Sequence, residues 1–273
     1  MSTARPYWAI PLTALCTLVA AVGGALPAMV LLGRESVVAP VLSGAGVTAL
    51  ALLLVFLWRR YLLQRDWTGV GLTWRRSAVS QGLLGAVAGA AAVLATNVFS
   101  LATGAARFGD WSAYGETAGQ VVVTIAIVLS VSILMQGLPE EVLWRGHLHD
   151  LLATTLSPRT VLLLTSVCFG VLHLVSQSGT EGAFERALYI LMAVALGFAA
   201  GAGRLRTGAV WLAVGLHSGF HLGLRGLPIE PVDQVTWLLT LTVAMGAVGL
   251  LLLGRGGVRQ LVTSVPATEG RPS

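Results

Sequence analysis

The stretch that decides the fold runs from Val121 to Arg145: VVVTIAIVLSVSILMQGL at 121–138, then Pro139-Glu140-Glu141-Val142-Leu143-Trp144-Arg145. Its first 18 residues carry no charge, and a transmembrane helix needs about 20 mostly apolar residues, with a range of roughly 17 to 25. Val121–Leu138 therefore reads as a membrane span. Two adjacent carboxylates directly after it are a desolvation liability unless they serve a purpose.

Working outward, seven more segments qualify or nearly do: Trp8–Leu32, Val37–Trp58, Ala78–Leu101, Val161–Val175, Ala187–Gly203, Gly208–Leu224 and Val235–Gly254. The fold class that follows is all-α, a polytopic membrane helix bundle of about eight transmembrane helices. Val161–Val175 is the shortest and leans on its neighbours or on the flanking interface. The first run, at 25 residues, exceeds the ~7–15 of a secretory h-region, so it stays as a helix. Three regions are expected. Residues 1–120 hold the first three helices, 121–254 form a catalytic-type core with the last helix, and 255–273 make a polar, mobile cytoplasmic tail.

Composition agrees. Of 273 residues, 55% are hydrophobic and 11% charged, against roughly 25% charged in soluble proteins. The mean hydropathy is +0.81, and 33 residues are Gly, which is more frequent in transmembrane helices. An ordinary soluble domain, a disordered chain and a collagen-like chain are all excluded. The net charge of +5 comes from 17 basic residues, all Arg, against 12 acidic ones. In a soluble protein a pI near 10.0 would raise nucleic-acid binding. Here arginines in loops beside apolar segments serve orientation, and no nucleic-acid partner is expected. Cys16 and Cys168 lie in separate apolar runs and are read as free, buried thiols.

Alternate loops differ sharply in Arg content. One side receives thirteen: Arg5, Arg59, Arg60, Arg65, Arg75, Arg76, Arg145, Arg159, Arg204, Arg206, Arg255, Arg259 and Arg271. The other receives four, Arg34, Arg107, Arg186 and Arg225, with most of the acids. With eight spans this places both termini in the cytoplasm of a multi-pass cell-membrane protein. Small residues four apart, as in Gly85/Gly89, Gly197/Gly201 and Gly215/Gly219/Gly223, signal closely packed helices.

Ionisable residues at membrane depth mark a functional site by default, and here they concentrate. All five histidines fall between His147 and His221. Around Glu140 and Glu141, helix capping is the plain alternative: Pro139 suits a first turn, the acids complement the dipole, and Glu141 with Arg145 is an i,i+4 pair. That pair leaves Glu140 without a partner. Phe169 and His173 share one face of the fifth span, and His217 and His221 share one face of the seventh. The glycine ladder on the seventh span is offset from its histidines by two residues, about 200° of rotation, so the helix meets protein on both sides. His147 and His149 are read as interfacial.

A carboxylate and an imidazole converging on one water can deprotonate it while another imidazole donates to the oxyanion, which is amide hydrolysis without a covalent intermediate. Alternatively, Glu140, His173, His217 and His221 form a possible zinc ligand set.

These residues resemble the CAAX protease and bacteriocin-processing (CPBP) intramembrane proteases, also called the Abi family, whose motifs are EExxxR, FxxxH and HxxxN or HxxxD on successive helices. This chain has Glu140-Glu141-Val-Leu-Trp-Arg145, Phe169-Gly-Val-Leu-His173 and His217-Ser-Gly-Phe-His221. The first two match fully and the third at its first position only. The resemblance covers roughly Val121 to Leu224. It implies Glu140 as general base with His173, oxyanion stabilisation by His217 with residue 221, and support of Glu140 by Glu141 and Arg145. It also implies a membrane-anchored peptide or protein substrate. Members are often labelled metalloproteases, while the better-described ones resemble glutamate-dependent enzymes without a required metal. The departure is His221; a neutral His still donates one N–H, and a third imidazole raises the zinc reading.

The leading expectation is an intramembrane endopeptidase open toward the cytoplasmic leaflet. A non-catalytic membrane scaffold or immunity protein, binding a peptide or signalling partner through the same cavity, is the alternative. A proton-coupled transporter is disfavoured, because helices one to three carry no counterpart of the motifs.

Overall fold

The computed structural model describes residues 6–33, 36–176, 180 and 182–263. The long helices are α1 Ala9–Leu32, α2 Ala39–Leu62, α3 Arg76–Thr103, α4 Ala118–Leu152, α5 Pro158–Val175, α6 Gly182–Thr207, α7 Trp211–Arg225 and α8 Gln234–Thr263. Large apolar side chains such as Leu31, Leu62, Val243 and Leu251 point outward, a liability in water and an ordinary surface in lipid.

Local chemistry sets the helix ends. Thr117 and Gln120 form a reciprocal capping box at the start of α4. Ser157 accepts from the Thr160 N–H ahead of Pro158 at the start of α5. Gly104, with φ 76°, closes α3 in the left-handed region. Among the described residues, seven helices, all except α7, are long and apolar enough to cross a membrane. At 15 residues, α7 spans only about 22 Å.

That short helix nevertheless packs closely along α3. It runs parallel to α3, with Gly215 against Gly82, Gly219 against Ala86 and Gly223 against Val93. A Cβ at Gly215 or Gly219 would strike α3 backbone, so the glycine ladder is a packing requirement. The chain leaving α3 forms strand β1, Ala106–Phe108, and the chain leaving α7 forms β2, Ile229–Pro231. They pair antiparallel, with Arg107 opposite Glu230, so both helices deliver the chain to the same end. At the other end the Arg-rich segments meet. Arg59 Nη1 lies 2.8 Å from Asp150 Oδ2, Arg204 Nη2 donates to the Gly69 carbonyl at 2.9 Å, and Trp211 Nε1 donates to the Thr73 carbonyl at 2.8 Å.

The fourth span departs from expectation. Instead of ending at Leu138 it continues to Leu152 as a 35-residue helix, widened into π turns at Val131–Gly137 and Val142–Leu148. Pro139 has no N–H and its ring crowds the preceding turn. In the wide turn just before it, the Leu138 N–H reaches back five residues to the Ile133 carbonyl. Glu140 and Glu141 consequently sit inside a helix, and Arg145, counted with the loop arginines, is fully buried. π turns of this kind recur at functional sites because they re-aim side chains.

His147 also departs from its interfacial reading. It is fully buried, with its ring 4.4 Å from that of Trp58. His149 is half-buried. Cys16 and Cys168 are free thiols, half-buried rather than buried. α8 is broken by a kink at Gly254, whose φ of 64° is non-helical, and a helical stretch resumes beyond it to Thr263, into the stretch expected as tail. Residues 264–273, together with Arg5, Arg34, Glu35 and Glu181 from the loop-charge comparison, lie outside the described residues.

Candidate active site

The three motifs lie on α4, α5 and α7, and two groups bring them together: the Phe169 ring and the Glu141 carboxylate. Phe169 is fully buried. Its ring centroid is 4.9 Å from that of His173, 5.8 Å from that of His217 and 5.6 Å from that of Trp144. The Arg145 guanidinium carbon stands 4.5 Å over the same ring, a cation–π contact strengthened by desolvation.

Glu141 is fully buried and doubly held. Its Oε1 accepts from Arg145 Nη1 at 3.0 Å and lies 2.8 Å from His217 Nδ1. Arg145 also donates from Nη2 to the Gly197 carbonyl on α6 at 2.8 Å. Gly197 has no room for a side chain, since a Cβ there would meet Arg145 Nη2. The close approach of α4 to α7 depends similarly on Gly137, which abuts Ser218. The pairing of Glu141 with Arg145 expected from their spacing is thus present. Glu140, one residue earlier, is half-buried and makes no hydrogen bond among the described residues.

Carbonyl and carboxylate oxygens only accept, and this fixes ring tautomers. His173 Nδ1 is 2.9 Å from the Phe169 carbonyl, so Nδ1 carries the proton and Nε2 of the neutral ring is left as a free base. His217 Nδ1 likewise donates to Glu141. Its Nε2 faces His221 Nε2 at 3.2 Å, and in the neutral pair His221 Nε2–H is the shared donor. His221 Nδ1 is buried without a hydrogen-bond partner among the described residues, as are Glu141 Oε2, Arg145 Nε and Ser218 Oγ. The common face predicted for His217 and His221 is therefore present, while the two imidazoles rest against each other.

Several partners were not legible in the sequence. Tyr189 of α6 packs its ring 5.8 Å from that of His173 and receives a 3.3 Å bond from Ser176 Oγ. Gly197 was noted only for packing. Trp144, inside the first motif, signals its role by position alone; its Nε1 donates to Thr17 on α1 at 3.1 Å. The half-buried groups His173, Tyr189, His221 and Arg225 lie toward the helix ends that lead into the Arg-poor loops, whereas an opening toward the Arg-rich leaflet was expected.

Zinc fits this donor set only in part. Two ligand nitrogens on a tetrahedral zinc with bonds of about 2.0–2.1 Å stand roughly 3.3 Å apart, close to the separation of the two Nε2 atoms. Among the described residues, however, no three His, Cys, Asp or Glu side chains are placed to hold a metal ion.

Residues 121–223 match the family model described as type II CAAX prenyl endopeptidase Rce1-like. The matched stretch contains all three motifs and excludes α1, α2 and α3, which bears out the resemblance to the CAAX protease family read from the motifs. The comparison with curated proteins gave no match.

Proposed function

We propose that this chain is an intramembrane endopeptidase of the glutamate type, hydrolysing a peptide bond in a membrane-associated protein or peptide, with both termini in the cytoplasm, a placement that the arginine bias of the loops supports. The observation that carries the reading is the contrast between adjacent carboxylates. Glu141 is spent on Arg145 and His217, while Glu140 beside it is half-buried and makes no hydrogen bond or ion pair among the described residues. A general base must keep its lone pairs for the substrate water, and a buried neighbour that is already neutralised can hold it in place.

In this scheme Glu140 and His173 Nε2 bind one water. As the oxygen attacks the scissile carbonyl carbon, its proton passes to this pair and the carbonyl electrons move to the oxygen. His221 Nε2–H turns from His217 to the oxyanion. His217, anchored through Nδ1 to Glu141, keeps the second ring in reach. Collapse of the tetrahedral intermediate breaks the C–N bond, and the stored proton goes to the leaving nitrogen. The oxyanion donor and the oriented base each contribute in the range usual for such groups, roughly 10²–10³-fold and 10²–10⁴-fold.

Cleavage of a membrane-anchored reporter by purified protein tests the reading. Glu140→Gln and His173→Ala should each lower the rate at least about 100-fold with unchanged protein levels in the membrane. Full activity in both variants removes Glu140 and His173 from the catalytic role, and no cleavage by the parent protein leaves the non-catalytic peptide-binding scaffold. Chelator treatment should leave the rate unchanged; loss restored by zinc would establish the metalloprotease instead.

A further inference from the structure

We propose that the polar cavity at the Arg-rich end is a binding site for a phosphoethanolamine group, a phosphate bearing a primary ammonium, as a phospholipid headgroup carries it. The cavity has a volume of about 360 Å³ and lies where the end of α2 and the loop after it meet the end of α4. Arg59, Gln64, Arg65, Asp66, Thr68 and Asp150 line it, and none of the motif residues does.

The placement of the acids singles this cavity out. The Arg-rich end carries Arg59, Arg60, Arg65, Arg75, Arg76, Arg159, Arg204 and Arg206. Among the described residues its only carboxylates outside the bundle interior are Asp66 and Asp150, and both line the same space. With Arg59 and Arg65 they bring two positive and two negative groups together. An anion alone would meet two carboxylates there, and a cation alone two guanidiniums. A ligand carrying both signs is matched by both.

Much of the hydrogen-bonding capacity of these groups is unspent. Arg59 Nε donates to the Asp66 carbonyl at 2.7 Å and Nη1 to Asp150 Oδ2 at 2.8 Å, while Nη2 makes no hydrogen bond among the described residues. Arg65 reaches Asp150 Oδ2 only at 3.4 Å. The Thr68 hydroxyl and N–H both donate to Asp66 Oδ1, which holds that carboxyl below its usual range and keeps it ionised. Gln64 has φ 53°, the one positive value at a described non-glycine residue, and its side-chain amide makes no hydrogen bond among the described residues. Guanidinium and amide N–H groups bind phosphate oxygens, and the carboxylates accept from an ammonium. Tyr61 and Leu62, exposed on the last turn of α2 just before Gln64, offer the apolar chains of a lipid a surface beside its headgroup.

The inference does not depend on the peptidase reading, and its test needs no cleavage. Full-length protein, freed of copurified lipid in a neutral detergent, is titrated with short-chain phosphatidylethanolamine, phosphatidylcholine and phosphatidylglycerol, and binding is read by native mass spectrometry. Phosphatidylethanolamine should bind at least about tenfold tighter than phosphatidylcholine, whose ammonium has no N–H to donate. Asp66→Asn keeps the Oδ1 acceptor for Thr68 but removes the charge, and it should erase that preference. Arg65→Gln should weaken both lipids several-fold and by a similar factor, since both carry the phosphate. Soluble phosphoethanolamine identifies the source: competition at lipid-like concentrations assigns the site to the free molecule, no competition assigns it to the lipid, and either result supports the site when the preference depends on Asp66. Absent or equal binding of the three lipids, tighter binding of phosphatidylglycerol, or a phosphatidylethanolamine preference that survives Asp66→Asn in monodisperse protein overturns the proposal.

Discussion

Two arginine–carboxylate clusters in this molecule use the same chemistry at different depths. At the Arg-rich end, Asp150 is met by Arg59 at 2.8 Å and by Arg65 at 3.4 Å, and the carboxylate is 23% exposed. In the bundle interior, Glu141 is met by Arg145 and His217 with no exposure at all. The interfacial cluster leaves its spare lone pairs to water. The interior cluster leaves Glu141 Oε2 and Arg145 Nε without hydrogen-bond partners among the described residues. Depth thus makes the same tie more costly to break, because an isolated charge in low dielectric is costly and a hydrated one is not.

The comparison is broken most directly by deleting one partner from each cluster. Glu141→Gln leaves Arg145 buried without its counter-charge and should cost about 3–5 kcal/mol, read as thermal unfolding in detergent. Asp150→Asn leaves the 3% exposed Arg59 without this partner, but beside a carboxylate position that solvent reaches, and should cost less, about 1–3 kcal/mol; similar losses in the two variants would erase the distinction. Next in size is the interior cluster's donor. His221→Leu should lower peptide hydrolysis by roughly 10²–10³-fold, the usual effect of losing an oxyanion donor. His221→Asn keeps an N–H at that position and should stay within about tenfold of the parent, and an inactive Asn variant would remove His221 from the oxyanion role.

A smaller effect comes from crowding each cluster. A Cβ at Gly197 would press on Arg145 Nη2 in the closed interior, so Gly197→Ala should cost about 1–3 kcal/mol. At Gly69 a Cβ would meet the Asp150 carboxylate, which has space to move. Gly69→Ala should therefore be milder, and the ranking of the two melting temperatures checks it. The smallest effect is ionic. Raising salt from 0.05 to 1 M should shrink the Asp150→Asn difference and leave that of Glu141→Gln unchanged, because screening acts on pairs that solvent reaches.

The helices were legible because each apolar run is long, and lipid demands satisfied backbones in every span. The arginine alternation likewise anticipated which loops share an end, as the β1–β2 pair and the Arg59–Asp150 tie show. Spacing gave the i,i+4 neighbours Glu141 with Arg145, Phe169 with His173 and His217 with His221, since four residues return a helix to the same face. The end of the fourth span was misread because Pro139 and two acids look like a helix boundary. A π turn preserves the helix past them, and no one-dimensional pattern marks it. The depth of His147 was hidden for a similar reason, as Trp58 covers it from a helix remote in sequence.

By itself, then, the sequence determined that the chain is a bundle of membrane helices, and it determined which residues the bilayer could not explain. Hydrophobic length and local helical geometry act within one segment and need no partner. Spacing also paired Glu141 with Arg145 and left Glu140 over; only the tertiary structure decided what else holds that pair. Glu141 is spent because α7 and α6 bring His217 and the Gly197 carbonyl to it and to Arg145, and those contacts join residues 52 and 76 positions apart. Pairing over such distances follows from how glycine-lined helices pack, and no local pattern encodes it.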